Sequence, residues 1–208
     1  MLLPRRLVAG ALALALTGCA RLFVAPPPKY LYRLTPEIRF PGGLPHRPVQ
    51  LAIDRPLAPA GLDNRRIALA QSPISLDYFA DALWVDTVPA TIQTALVDGF
   101  EKSGAFAAVG RESLGLQADF TLAGEVRQFD AEYASGGGPP DAVVSIDIAL
   151  IGAGGRNIVA QKLFEQRARA AANTLPAIVA AFDAALGAAI EAIVVWTAQN
   201  PALSKRRR

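Results

Sequence analysis

Cys19 and His46 are the only cysteine and histidine in the chain, so a thiol nucleophile and an imidazole base are each available once. A lone cysteine excludes an internal disulfide and a cysteine-based zinc cluster, and a lone histidine excludes a multi-histidine metal site. His46 lies in the run Phe40-Pro41-Gly42-Gly43-Leu44-Pro45-His46 and reads as a loop residue, because no nucleophile motif accompanies it. The glycine-rich stretches Ser135-Gly136-Gly137-Gly138-Pro139-Pro140 and Gly152-Ala153-Gly154-Gly155 would have to run from a strand into a helix to cradle phosphate. Both connect strand to strand, as hairpin loops do. Asp77, Asp81 and Asp86 fit turn and cap roles, and no spacing selects a catalytic carboxylate pair. The expectation is a protein that is not an enzyme, with no metal and no cofactor.

The chemistry that remains belongs to Cys19. Arg5-Arg6 forms a positive n-region, and Leu7 to Leu16 is a ten-residue apolar run. A spanning helix needs about 20 apolar residues, so this run reads as the core of a secretory signal peptide, residues 1–18. Leu16-Thr17-Gly18-Cys19 follows and resembles the bacterial lipobox. Small residues at 17 and 18 fit an extended chain into a signal peptidase. Cleavage between Gly18 and Cys19 leaves a cysteine whose thiol carries diacylglycerol. Two or more acyl chains anchor a protein stably, where one binds marginally. Ala20, rather than an aspartate, at the next position points to the outer membrane, with the domain facing the periplasm.

The charge is unevenly spread along the chain. The chain is net +3, but Arg5, Arg6 and Lys205 to Arg208 supply six of the basic residues, and the body without them is net −3. The basic pI therefore belongs to the ends and gives no nucleic-acid-binding face. Residues 19–29, ending in Pro26-Pro27-Pro28-Lys29, read as a lipidated, stiff polyproline tether. Residues 200–208 read as a basic disordered tail.

Residues 30–199 read as a single domain. Tyr30 to Leu34, Val49 to Ile53, and a hairpin pairing Ile67–Ala70 with Ile74–Tyr78 across Ser72-Pro73 give four strands. A helix starts at Asp86-Thr87, takes Pro89 in its first turn, buries Val88, Ile92, Ala95, Leu96 and Phe100, and stops at Gly104. Ala105 to Val109 is a fifth strand. Asp119 to Tyr133 changes phase near Arg127-Gln128, the mark of a bulge, and forms an antiparallel meander with Val144–Leu150 and Ile158–Ala170. A last helix, capped by Thr174, should bury Ile178, Phe182, Leu186 and Ile193 and keep Asp183 and Glu191 outside. These elements predict an α+β fold, a mostly antiparallel sheet with two amphipathic helices packed on one face. The aromatic cluster Tyr78, Phe79 and Trp84 before the first helix either packs beneath the helix ends or lines a groove for lipid or a partner.

The order and spacing of these motifs resemble the ABC-type transport auxiliary lipoproteins, the PqiC-like family that accompanies MCE-type intermembrane lipid transporters. The resemblance runs from the lipobox at Cys19 through Tyr30-Leu31-Tyr32-Arg33-Leu34 and Leu83-Trp84-Val85-Asp86. It continues through Ser103 to Arg111, Ala118 to Leu122, Phe129 to Tyr133, Phe164-Glu165, and the last helix from Ile178 to Trp196. It implies a non-catalytic partner of an MCE-domain protein, served by an inner-membrane permease and ATPase, that handles phospholipid or a similar hydrophobic substrate. The oligomeric state stays open, a homo-oligomer included. The alternative is an assembly lipoprotein that scaffolds another envelope complex without binding lipid.

Cys19→Ala is expected to abolish acylation and leave an unprocessed precursor, seen as a larger species on gels and as loss of label from radioactive palmitate. Processing identical to the unsubstituted chain overturns the lipobox assignment.

Overall fold

Local sequence separation decides which strands lie antiparallel. The computed structural model describes residues 29–40, 42–114, 117–152 and 157–204. Cys19, Gly18, most of the 19–29 segment and the tail Lys205 to Arg208 lie outside the described residues. The elements are β1 (Tyr30–Tyr32), β2 (Arg47–Ile53), β3 (Arg66–Ser72), β4 (Ser75–Trp84), α1 (Val88–Ser103), β5 (Phe106–Arg111), β6 (Phe120–Glu132), β7 (Asp141–Gly152), β8 (Asn157–Arg169) and α2 (Leu175–Gln199). This is the element order that the periodicities predict.

The sheet itself corrects the expected fold class. The eight strands form one mixed sheet, and the architecture is mixed α/β rather than mostly antiparallel α+β. Antiparallel pairing occurs at β3–β4, β6–β7 and β7–β8, where the partners are consecutive in the chain. The pairs β1–β4, β2–β5, β2–β6 and β3–β6 are all parallel. Hairpins join antiparallel neighbours, whereas parallel partners need a long crossover. The sequence expectation extended the hairpin rule to partners that meet only through crossovers.

β6 is the branching point. One edge pairs with β7 along its whole length, with a register shift between Val126 and Gln128, where the change of phase places a bulge. The other edge pairs with β2 at Leu122 and with β3 at Ala131. Leu57 fills the gap, its N–H donating to Gly124 O and its carbonyl accepting from Val126 N–H. The sheet thus forks into a β3-β4-β1 arm and a β2-β5 arm.

Alternation explains the core of the meander. Leu122, Val126, Phe129 and Ala131 of β6 share a face with Ala142, Val144, Ile146, Ile148 and Leu150 of β7, all buried. α1 packs over β2 and β5, α2 over β7 and β8, and the helices touch each other. Both start where predicted, with Thr87 and Thr174 as N-caps, although neither threonine side chain makes a capping hydrogen bond. Gly104 ends α1 at φ 60°, a left-handed conformation that suits glycine.

α2 is more than an amphipathic surface helix. Ile178, Phe182, Leu186 and Ile193 are buried, and so are Gly187, Ile190, Val194, Thr197 and Ala198. It is long and apolar enough to cross a membrane, yet more than half of its most apolar stretch is buried within the fold. The extra cover is a strap, residues 33–40, that joins β1 towards β2 and contacts both helices. A Cβ on Gly187 would stand 3.0 Å from the Glu37 carbonyl oxygen, and one on Gly99 would meet Ile190 at 2.5 Å and Ile38 at 3.3 Å. The strap corrects the placement of Asp183: the side chain is half-buried, and its Oδ1 accepts the Thr35 N–H at 2.7 Å. Burial raises its pKa, partly offset by that hydrogen bond.

The centre of the core is aromatic. Phe182 stacks on Phe129 with ring centroids 5.0 Å apart, and Trp84 meets both edge-on. Phe182 is fully buried, and truncating such a side chain costs about 3–5 kcal/mol. Phe182→Ala is expected to lower the melting temperature sharply, as followed by circular dichroism. An unchanged transition would show that the α2–sheet contact contributes little.

Candidate functional site

Two features of the described surface combine concavity with polar groups. The first is a cleft of about 480 Å³ between the strap, the end of β4 and the outward face of α1. The strap supplies Arg33 and Ile38, the β4 end supplies Trp84 and Asp86, and α1 supplies Asp98 and Lys102. Thr91, Ala95, Asp98 and Lys102 recur every three or four residues, so helical geometry aligns them along one stripe. Asp86 Oδ1 accepts the Thr87 N–H at 2.8 Å, which holds its carboxylate beside the start of α1. The Trp84 ring is buried, and its Nε1–H has no hydrogen-bond partner among the described residues. Buried polar groups are nearly always paired, so this one is an exception that calls for an explanation.

The second feature is a groove of about 520 Å³ under the β3–β4 hairpin, on the sheet face that carries no helix. The hairpin tip contributes Ser72 to Leu76, and Ile74 there is almost wholly exposed. β6 contributes Arg127, Gln128, Asp130 and Glu132. The charges on this face largely satisfy one another: Arg127 with Glu125 and Asp147, Arg167 with Glu132 and Glu165, and Arg169 with Asp141. Asp130 is buried, and desolvation raises its pKa although Gln128 Nε2 donates to it at 3.1 Å. Such cross-strand ladders are the ordinary way a half-open sheet is solvated.

The residues singled out from sequence fall in separate places. Trp84 lies in the core and lines the cleft beside α1. Tyr78 donates its hydroxyl to Gly61 O at 2.9 Å and carries the Arg66 guanidinium 3.4 Å above its ring. Phe79 is partly buried against the core. Of the three, only Trp84 lines the cleft. A large irregularity in β4 separates them: Arg66 pairs with Leu83 while Ala68 pairs with Tyr78, and Asp81 adopts φ 59° within the interruption. Sequence reasoning missed Arg33, Asp98 and Lys102. Ala95 of the α1 stripe read as part of the buried apolar face, its polar neighbours were not singled out, and nothing in the sequence folds residues 33–38 against them. Among the described residues no group of three or more His, Cys, Asp or Glu side chains could hold a metal ion.

Asp130 gives a pH-dependent test of this geometry. A raised carboxylate pKa means the ionised form is disfavoured in the folded state, so the penalty is present at neutral pH and disappears as pH falls through the folded pKa. Asp130→Asn is expected to leave stability equal or higher at pH 7, with the difference from the unsubstituted chain shrinking in acid. A stability loss at pH 7 that is recovered in acid would reverse the sign and show that the charge is wanted.

Comparison with known proteins places the fold that carries these features. In a Bradyrhizobium diazoefficiens protein described as uncharacterized, 149 residues are 32% identical, covering 71% of this chain and 39% of the relative. The chain thus spans about two fifths of the length of that curated relative. Among solved structures it is similar to protein XCC0632 from Xanthomonas campestris, with 28% identity and a TM-score of 0.75, over 80% of this chain and 94% of that one. The crystal structure of an uncharacterized protein shares the fold alone, at 15% identity and a TM-score of 0.62, over 80% of this chain and 96% of that one. The family model of the ABC-type transport auxiliary lipoprotein component matches residues 32–194, nearly the whole described fold from the end of β1 into the last turns of α2, and the chain belongs to that family.

Proposed function

We propose that the mature chain is anchored in the outer membrane through acylated Cys19 and serves, facing the periplasm, as a non-catalytic accessory of an MCE-type transporter. Its partner is the MCE-domain protein, driven by an inner-membrane permease and ATPase. The cargo is phospholipid or a similarly hydrophobic molecule passing to or from the outer membrane.

The observation that carries this reading is the placement of a lipobox cysteine eleven residues before β1, directly upstream of a domain matched by the auxiliary-lipoprotein family. A secreted, lipid-anchored domain with that membership has a transporter to serve and is held at a membrane to serve it. The cleft supports the reading in a second way. Clefts of about 300–1,000 Å³ with a few convergent polar groups are the usual form of a binding site.

Affinity purification of the chain from chemically crosslinked envelopes is expected to recover an MCE-domain protein with its permease and ATPase. Repeated recovery of none of the three overturns the proposal. Lipid extracted from the purified complex separates a transport accessory from a pure scaffold, which carries none.

A further inference from the structure

The forked sheet has three ends, and each is a strand with one open edge. β1 is three residues long and β5 six, whereas β8 runs for thirteen, and among the described residues no strand pairs with its outer side. Open edges are normally blunted by shortness, proline, bulges or outward charge. β8 contains no proline, and the one irregularity in its pairing lies near its start, opposite Leu150 and Ile151. From Ala160 to Arg169 its ladder with β7 is regular. Its charges are engaged within the chain: Arg167 pairs with Glu132 and Glu165, and Arg169 with Asp141. Lys162 lies over the Phe164 ring, 5.2 Å from its centroid. Leu163, at the midpoint of the strand, is 52% exposed amid these polar neighbours.

An apolar residue at the centre of an open edge suits a strand that brings an apolar residue to the same point. We propose that β8 pairs antiparallel with β8 of a second copy of this chain, about a two-fold axis that passes through Leu163. Register follows the apolar pattern. On the helix-free face this pairing sets Leu163 against the partner's Leu163 and Gln161 against the partner's Glu165. On the helix face it sets Lys162 against the partner's Phe164, a second ring for a cation that already lies over one, and Ala160 against the partner's Gln166. No like charges stand opposite each other. An axis through Lys162, Glu165 or Arg167 would oppose each of those charges to itself, which destabilises a ladder. An axis through Phe164 or Gln166 would set Leu163 against the partner's Glu165 or the partner's Arg169. One through Gln161 would set Leu163 against the irregular start of the strand. The axis stands perpendicular to the sheet, so both copies of α2 lie on the same face. Trp196 of α2 packs on Phe164 with ring centroids 5.5 Å apart. Ala192 and Ala188, one and two turns before Trp196, carry small side chains that leave room for a second helix. The result is one sheet continuous across two chains, in which the longest open edge of each is covered.

The test uses two full-length copies with different affinity tags, co-expressed and extracted in excess mild detergent. Capture through one tag is expected to recover the other copy. Leu163→Lys in both copies, or Leu163→Asp in both, should lower that recovery about tenfold, the effect of like charges meeting across an interface. Pairing Leu163→Lys with Leu163→Asp should restore it to within about twofold, because only a residue on the axis meets itself. Leu163 lies on the surface, so melting of each variant, followed by circular dichroism, is expected to match the unsubstituted chain and separates lost pairing from lost folding. Oxidation reads the register. Leu163→Cys should form a dimer disulfide that the unsubstituted chain, whose one cysteine is Cys19, does not form. Gln161→Cys, about 14 Å from its own copy by strand rise, should not. Equal recovery in all four pairings, or no rescue by the mixed pair, overturns the two-fold and leaves the edge to an extended segment of a different protein. Stronger crosslinking at position 161 than at 163 overturns the register.

Discussion

Along one edge β6 exchanges backbone hydrogen bonds with β7 from Phe120 to Glu132, and along the other it is shared between two strands that never touch each other through it. A strand has one edge on each side, so β2 and β3 can both use it only by taking opposite ends. The backbone groups between them would be orphaned, and buried orphans are costly. Leu57 supplies the missing partner to Gly124 and Val126. From this division follows the rest. The β2–β5 arm carries α1, the β3–β4–β1 arm carries Trp84 into the core, and the meander beyond β7 carries α2. Gln93 ties the arrangement from the helix side: its Nε2 donates to Ile53 O, and its Oε1 accepts from Arg111, linking α1 to β2 and β5.

Periodicity made the elements legible, because a buried strand face and a buried helix stripe each leave a repeat in the sequence. The bulge of β6 was legible for the same reason, since an extra residue flips the phase at Arg127-Gln128. Partner choice leaves no such trace. Leu51, Ala52 and Ile53 read as a strand whichever neighbours they take, and their continuous burial reflects strands packed on both sides only once the sheet is known. The parallel pairs were therefore missed together, and the antiparallel ones found together.

The cleft was illegible for a different reason. Its α1 half is written in helical spacing, but its strap half consists of residues with no regular structure whose course is fixed by tertiary contact. Thr35 reaches Asp183 across 148 positions of sequence. Gly99 and Gly187 record that contact, as the absence of side chains where Ile38, Ile190 and the Glu37 carbonyl come close. A glycine inside a helix costs about 0.5–1 kcal/mol relative to alanine, and at both positions close approach is the compensation. Asp183 was placed outside because the helix alone would put it there.

β1 has only three residues, pairs with β4 alone, and lies at the margin of the sheet. Beyond the ladder, Val85 N–H donates to Tyr32 O, and an exposed contact joins Lys29 to Asp81. Any tension delivered from upstream of Lys29 meets this short ladder before the meander or the aromatic centre. Stability within a fold is uneven, and short exposed ladders open at the lowest free-energy cost. The strap that follows forms one wall of the cleft, so this end of the fold is mechanically compliant at the very place where the wall is built. A pull on the chain before β1 would change the shape of that wall while leaving the pairing of β6 with β7 untouched.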